Sequence, residues 1–129
     1  MRDRQKTILV VEDEEKIAKI LAIQLKLAGY DAHIETTGNG ALTYARDHQF
    51  DLVILDLKLP DLSGYEVCKQ LRRVYQAWAL PVLMLTAMDQ PIDQIRGFAH
   101  GANAYMTKPF DLTEVLETVA LLLGETAAA

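Results

Sequence analysis

Three carboxylates stand at the ends of two short apolar runs. Asp56 closes Leu52-Val53-Ile54-Leu55, and Glu12 and Asp13 close Ile8-Leu9-Val10-Val11. Apolar runs of this length, bounded by polar residues, read as buried strands of a parallel sheet. Such strands present their carboxyl ends at one edge, where ligands bind. If the two strands are neighbours, the three acids share one cleft. Like charges raise one another's pKa, so the cluster needs a counter-charge. A hard divalent cation held by oxygens, such as Mg2+, supplies one. Thr86 ends a further apolar run, Val82-Leu83-Met84-Leu85, and Lys108 with Pro109 follows the short run ending at Met106. The same edge thereby gains a hydroxyl and an ammonium. Carboxylates, a cation and a lysine suit an oxyanion, and a phosphoryl group in particular. The acid on the middle strand is then a nucleophile able to carry an aspartyl phosphate.

The elements that must position these residues alternate. Strands are expected at 7–12, 30–35, 51–55, 82–85 and 103–106, and helices at 15–28, 38–48, 64–75, 90–100 and 112–123. Gly29, Gly101 and Gly124 stop their helices as C-cap glycines do. Asp89 and Asp111 read as N-caps, with Pro91 tolerated in a first turn. The second strand is polar and alternating, as an edge strand would be. Strand–helix alternation means an α/β fold, a parallel sheet covered on both faces. The doubly wound order 2-1-3-4-5, flavodoxin-like, sets strands one and three side by side and unites Glu12, Asp13 and Asp56. One domain is expected, with its core at 6–124 and a short tail or linker stub at 125–129.

The 129 residues are half hydrophobic and 24% charged, the balance of a water-soluble globular domain large enough for a sizeable core. The net charge of -5 argues against nucleic-acid binding by this chain, since phosphate contacts need clustered Lys and Arg. No apolar stretch would span a bilayer, and the charged start at residues 1–6 does not lead into a signal sequence. The lone Cys68 has no internal disulfide partner, which fits a reducing cytoplasm. Strand one ends in acids instead of a glycine-rich turn, which disfavours nucleotide binding. His33, His48 and His100 share no metal-like spacing and read as surface residues. Trp78 reads as local packing before strand four, and Met84, Met88 and Met106 as core or rim.

Four segments, in order and at these separations, resemble the receiver domain of bacterial two-component response regulators. They are Ile8 through Glu14, Asp51 through Pro60 with Ser63-Gly64, Leu85-Thr86-Ala87, and Gly101 through Phe110. The resemblance covers residues 6–124. It implies that Asp56 accepts a phosphoryl group from the phosphohistidine of a histidine kinase or phosphotransfer protein. Glu12, Asp13, Asp56 and the Lys58 carbonyl would hold Mg2+, for which Mn2+ can substitute. Lys108 would pair with Asp56 and then with the phosphoryl oxygens. The Thr86 hydroxyl and the Ala87 backbone N–H would donate to the phosphate, and Tyr105 would move inward as an aromatic switch. A cis Lys108–Pro109 peptide is implied as well. The output would be a linked domain or effector, with a possible homodimer through the fourth helix, fifth strand and last helix. Lys58 and Met88, two residues after Asp56 and Thr86, are expected to tune the lifetime of the phosphorylated state.

Two departures bear on output. Asn103-Ala104 stands where an acidic pair is common, lowering the charge expected on the face of the fourth helix and fifth strand. The last helix carries no Lys or Arg, unlike receivers that drive winged-helix DNA-binding domains. Each residue also has a plainer reading. Asp56 alone would cap a turn, Thr86 would sit in one, and Tyr105 would pack in the core. Two other functions compete. An aspartyl phosphohydrolase of the haloacid dehalogenase type needs a second acid where Lys58 stands. A degenerate receiver serving only as an interaction module would not need the full acid, threonine and lysine set.

Overall fold

The computed structural model describes residues 5–125. Five strands, β1 (Thr7–Val11), β2 (Asp31–Glu35), β3 (Leu52–Leu55), β4 (Val82–Thr86) and β5 (Ala104–Thr107), alternate with five helices. The helices are α1 (Glu15–Leu27), α2 (Gly38–Asp47), α3 (Gly64–Arg72), α4 (Pro91–Ala99) and α5 (Leu112–Leu122). All strand pairs are parallel and the order is β2-β1-β3-β4-β5. The expected tail beyond Glu125 lies outside the described residues.

Side chains of successive strand residues point to opposite faces, and the two faces build two cores. Ile8, Val10, Leu52, Ile54, Leu83 and Leu85 pack with Leu21 and Leu25 of α1 and Val115 and Val119 of α5. Leu9, Val11, Val53, Leu55, Val82 and Met84 face Ala41 and Ala45 of α2 and Val67, Cys68 and Leu71 of α3. Every residue of β3 and β4 is buried, which is why these strands read as unbroken apolar runs. β2 is partly open, as its polar alternation predicts for an edge strand.

Several local expectations shift. α3 ends at Arg72 instead of Tyr75, because Val74 and Tyr75 N–H both turn back to the Leu71 carbonyl. The chain from there to Leu80 runs as turns, and Trp78 is 85% exposed and does not pack. Gln90, not Asp89, is the N-cap of α4; Asp93 completes a capping box by accepting the Gln90 N–H at 3.0 Å. Asp111 does cap α5, accepting from Thr113 N–H at 2.8 Å. Gly29, Gly101 and Gly124 take positive φ, as their helix-ending role requires. Cys68 is fully buried, and its thiol is held above its usual range by that burial.

Candidate functional site

β1 and β3 are registered Val10↔Ile54 and Val11↔Leu55, so the acids after each strand emerge side by side. One carboxylate oxygen each from Glu12, Asp13 and Asp56 lies within 4.8 Å of the others. Glu12 and Asp56 are only 2% and 4% exposed, whereas Asp13 is open to solvent. The chain after β5 returns Lys108 to this point. Its Nζ lies 2.7 Å from Glu12 Oε1 and 2.9 Å from Asp56 Oδ2, with Glu14 Oε1 at 3.7 Å.

One ammonium does not neutralise three clustered acids. Burial pushes the Glu12 carboxyl up to about 7, against the lowering effect of its hydrogen bonds with Lys108 and the Glu14 N–H. Burial alone would lower Lys108, but its hydrogen bonds to Glu12 and Asp56 outweigh that and hold it above its usual value. Three oxygen ligands, two of them buried, with negative charge in excess, form a donor set that fits a hard divalent cation such as Mg2+.

The loop after β3 is shaped by close approach. The Lys58 N–H donates to Asp56 Oδ1 at 3.2 Å, fixing the carboxylate. Lys58 then bridges to Ser63, and the Gly64 N–H donates to Leu57 O at 2.9 Å. A Cβ on Gly64 would collide with the Asp56 carbonyl oxygen, so only glycine lets α3 begin directly beneath the acceptor. The same loop is tied to α2 by Asp61, which accepts from Gly38 N–H and Asn39 N–H, both at 2.8 Å. Ser63-Gly64 stands among the segments singled out in the sequence, whereas Asp61 does not. The Ser63-Gly64 pair signals the turn, but nothing local signals the helix that Asp61 reaches.

Thr86 ends β4 fully buried. Its carbonyl accepts the Lys108 N–H at 2.8 Å and its Oγ1 accepts the Met88 N–H at 3.4 Å. Ala87 follows, exposed, at the same sheet edge. Tyr105 pairs with Met84, two residues back from the edge on β5. Its hydroxyl does not reach the acids; it donates to the Met88 carbonyl at 2.6 Å. Met88 is thus bonded through its backbone to both Thr86 and Tyr105, a link the sequence does not display. The Tyr105 ring lies against α4, where a Cβ on Gly97 would come within 2.9 Å of it. Burial, with Tyr65 and nearby acids adding to it, pushes the Tyr105 phenol up. Lys58 is exposed, Met88 half-buried, and the Lys108–Pro109 peptide is cis.

Asn103 does not lie idle on the α4–β5 face. Its Oδ1 accepts from Arg72 Nη2 at 2.7 Å and Val82 N–H at 2.9 Å, and its Nδ2 donates to Ala77 O at 3.1 Å. Of the histidines, His33 and His48 both stack on Tyr44, ring centroids 3.8 and 4.0 Å apart; His48 is otherwise exposed, and His33 also pairs with Glu35.

A family model for the response regulator receiver domain matches residues 8–120. The chain is 45% identical over 124 residues to the alkaline phosphatase synthesis transcriptional regulatory protein PhoP of Bacillus subtilis, covering 96% of this chain and 51% of that protein. It is 44% identical over 119 residues to the DNA-binding dual master transcriptional regulator RpaA of Synechocystis, covering 92% and 49%. The chain thus spans about half the length of both relatives. Among solved structures it is similar to the non-phosphorylated HemR receiver domain of Leptospira biflexa, with a TM-score of 0.86, 33% identity and coverage of 97% and 99%.

Proposed function

The chain belongs to the response regulator receiver domain family of two-component signalling, and from that premise we propose that Asp56 is its phosphoacceptor. The observation that carries the proposal is the Asp56 carboxylate itself. It is buried at the end of the central strand, 2.9 Å from the Lys108 ammonium, and clustered with Glu12 and Asp13. In the transfer an Asp56 carboxylate oxygen forms a bond to phosphorus while the phosphorus–nitrogen bond of a phosphohistidine breaks. The electron pair leaves with the imidazole. The donor is a histidine kinase or phosphotransfer protein.

Glu12, Asp13, Asp56 and the Lys58 carbonyl would hold Mg2+ or Mn2+, which supplies charge neutralisation to the phosphoryl oxygens when bound. The Lys58 N–H keeps the Asp56 carboxylate oriented. Lys108 balances the buried acids before transfer and follows the transferred charge afterwards. Thr86 exchanges its hydrogen bond from the Met88 N–H for donation to the phosphoryl group, with the Ala87 N–H as a second donor. Met88 also anchors the Tyr105 hydroxyl, so a movement of Thr86 is passed to the aromatic switch. Lys58 and Met88, beside the open side of the site, set how long the phosphate survives. The relatives are named as transcriptional regulators and run to about twice this length, so the output is a linked regulatory domain. Pairing of activated copies runs through α4, β5 and α5.

Incubation with Mg2+ and a small phosphodonor, followed by intact-mass measurement, tests this reading. A gain of one phosphoryl group by wild type and none by Asp56→Asn is expected. Continuous turnover of the donor would indicate a phosphohydrolase, and no modification would indicate an interaction module.

A further inference from the structure

Three side chains on one face of α3 hold α4 along its length. The Tyr65 hydroxyl donates to the Asp93 carbonyl in the first turn of α4, at 3.0 Å. The Cys68 thiol donates to the His100 carbonyl at 3.3 Å, and Arg72 donates through Nε and Nη2 to the Gly101 carbonyl at 2.9 and 2.7 Å. The Cys68 and Arg72 contacts secure the far end of α4. The Tyr65 contact falls at the end that joins the β4–α4 loop.

Tyr65 is buried at the start of α3, directly after the glycine that abuts the Asp56 carbonyl. The Arg96 guanidinium lies 4.7 Å over its ring. Asp93 is itself buried and accepts the Gln90 N–H, so residues 90–93 form one capping unit. Just upstream, the Tyr105 hydroxyl grips the Met88 carbonyl. Two phenols from different elements therefore hold successive points of one loop–helix junction. They lie close enough to act on each other electrostatically.

We propose that Tyr65 is a positioning residue of the switch, whose hydrogen bond to the Asp93 carbonyl holds the first turn of α4 in its unphosphorylated place and opposes the loop movement that follows phosphorylation. This rests on the phosphoacceptor reading of Asp56. When Thr86 moves toward a phosphoryl group, residues 87–90 must follow, and they are joined to the Asp93 capping unit. A two-state equilibrium shifts only by what differs between its states, and a hydrogen bond made in one of them alone is such a difference. Removing the hydroxyl while keeping the ring weakens the resting arrangement specifically.

The test compares wild type and Tyr65→Phe in two measurements. One is the time course of the mass gain with Mg2+ and acetyl phosphate; the other is amide hydrogen exchange across the first turn of α4 without phosphodonor. Tyr65→Phe is expected to phosphorylate roughly twofold to tenfold faster, the range set by one neutral hydrogen bond, and to exchange faster in that turn. A merely structural tyrosine would lower stability without raising the rate. An equal or slower rate overturns the inference. Absence of any mass gain in wild type would instead overturn the phosphoacceptor reading beneath it. Should Tyr65→Phe not fold, wild-type exchange decides: a bond made only in the resting state requires the first turn of α4 to exchange faster in the phosphorylated protein than in the unphosphorylated one, and equal or slower exchange overturns the inference.

Discussion

Lys108 is a single positive charge between two buried carboxylates, and both sides of that balance can be tested. Its Nζ sits 2.7 Å from Glu12 and 2.9 Å from Asp56. Lys108→Ala leaves two buried acids facing each other, and removal of one partner from a buried ion pair costs about 3 kcal/mol or more. Chemical denaturation should show that loss, and added Mg2+ should restore more stability to the variant than to wild type; equal stability of the two proteins would contradict it. Glu12 gives a pH dependence. Burial raises it from 4.5 to about 7, so between those values the folded chain keeps a proton that the unfolded chain releases. Its contribution therefore favours folding at low pH and declines as pH rises toward 7. Cation binding needs the carboxylate, so Mg2+ affinity should fall, with proton release on binding, as pH drops below about 7. Titration calorimetry at about pH 6 and about pH 8 checks this, and equal affinities would contradict it. The acids, Thr86 and Lys108 are legible in the sequence because each closes an apolar run. Asp61 is not, because its partners Gly38 and Asn39 lie on a distant helix start.

Among the elements, the strands are legible to within about one residue: β3 and β4, buried on both faces, as apolar runs, and the edge strand β2 as a polar alternation. Helix ends are less so. α3 stops at Arg72, where the Arg73 and Val74 N–H groups bond carbonyls three residues back, a tightening of the last turn that no residue type at 73–75 signals. The α4 cap lies one residue beyond Asp89 because Asp89 and Gln90 offer similar local chemistry, and only the return of the Asp93 carboxylate to the Gln90 N–H decides between them. Asn103 shows the same limit. Read locally, it is the loss of an acid from a surface; in the fold it joins α3, β4 and the loop before β4 through Arg72, Val82 and Ala77. Asn103→Ala leaves the Val82 N–H and part of the Arg72 guanidinium unpartnered, an expected loss of about 2 kcal/mol. A urea titration showing less than about 0.5 kcal/mol would contradict that role.

At the scale of the molecule, strand order alone turns residues 44 positions apart, Glu12 and Asp56, into neighbours, and alternation of strands and helices was enough to predict it. Among the described residues no helix is long and apolar enough to cross a membrane. The outer face was harder to read. α4 exposes Ile92, Ile95 and Phe98, and α5 exposes Leu121 and carries no Lys or Arg. Pairing of activated copies through this face would rest on apolar contact. Sedimentation should show phosphorylation-dependent association that persists in high salt and is lost in Ile95→Asp, whereas an unchanged sedimentation coefficient on phosphorylation would contradict it. The phosphoacceptor proposal is narrower: of three clustered acids that together would hold a cation, Asp56 alone is chemically changed. Borohydride reduction of the phosphorylated protein converts an aspartyl phosphate to homoserine, which peptide sequencing by mass spectrometry locates. Homoserine is expected at residue 56, with aspartate retained at residue 13; homoserine at residue 13, a reduced side chain at residue 12, or no reduced residue at all would overturn Asp56 as the phosphoacceptor.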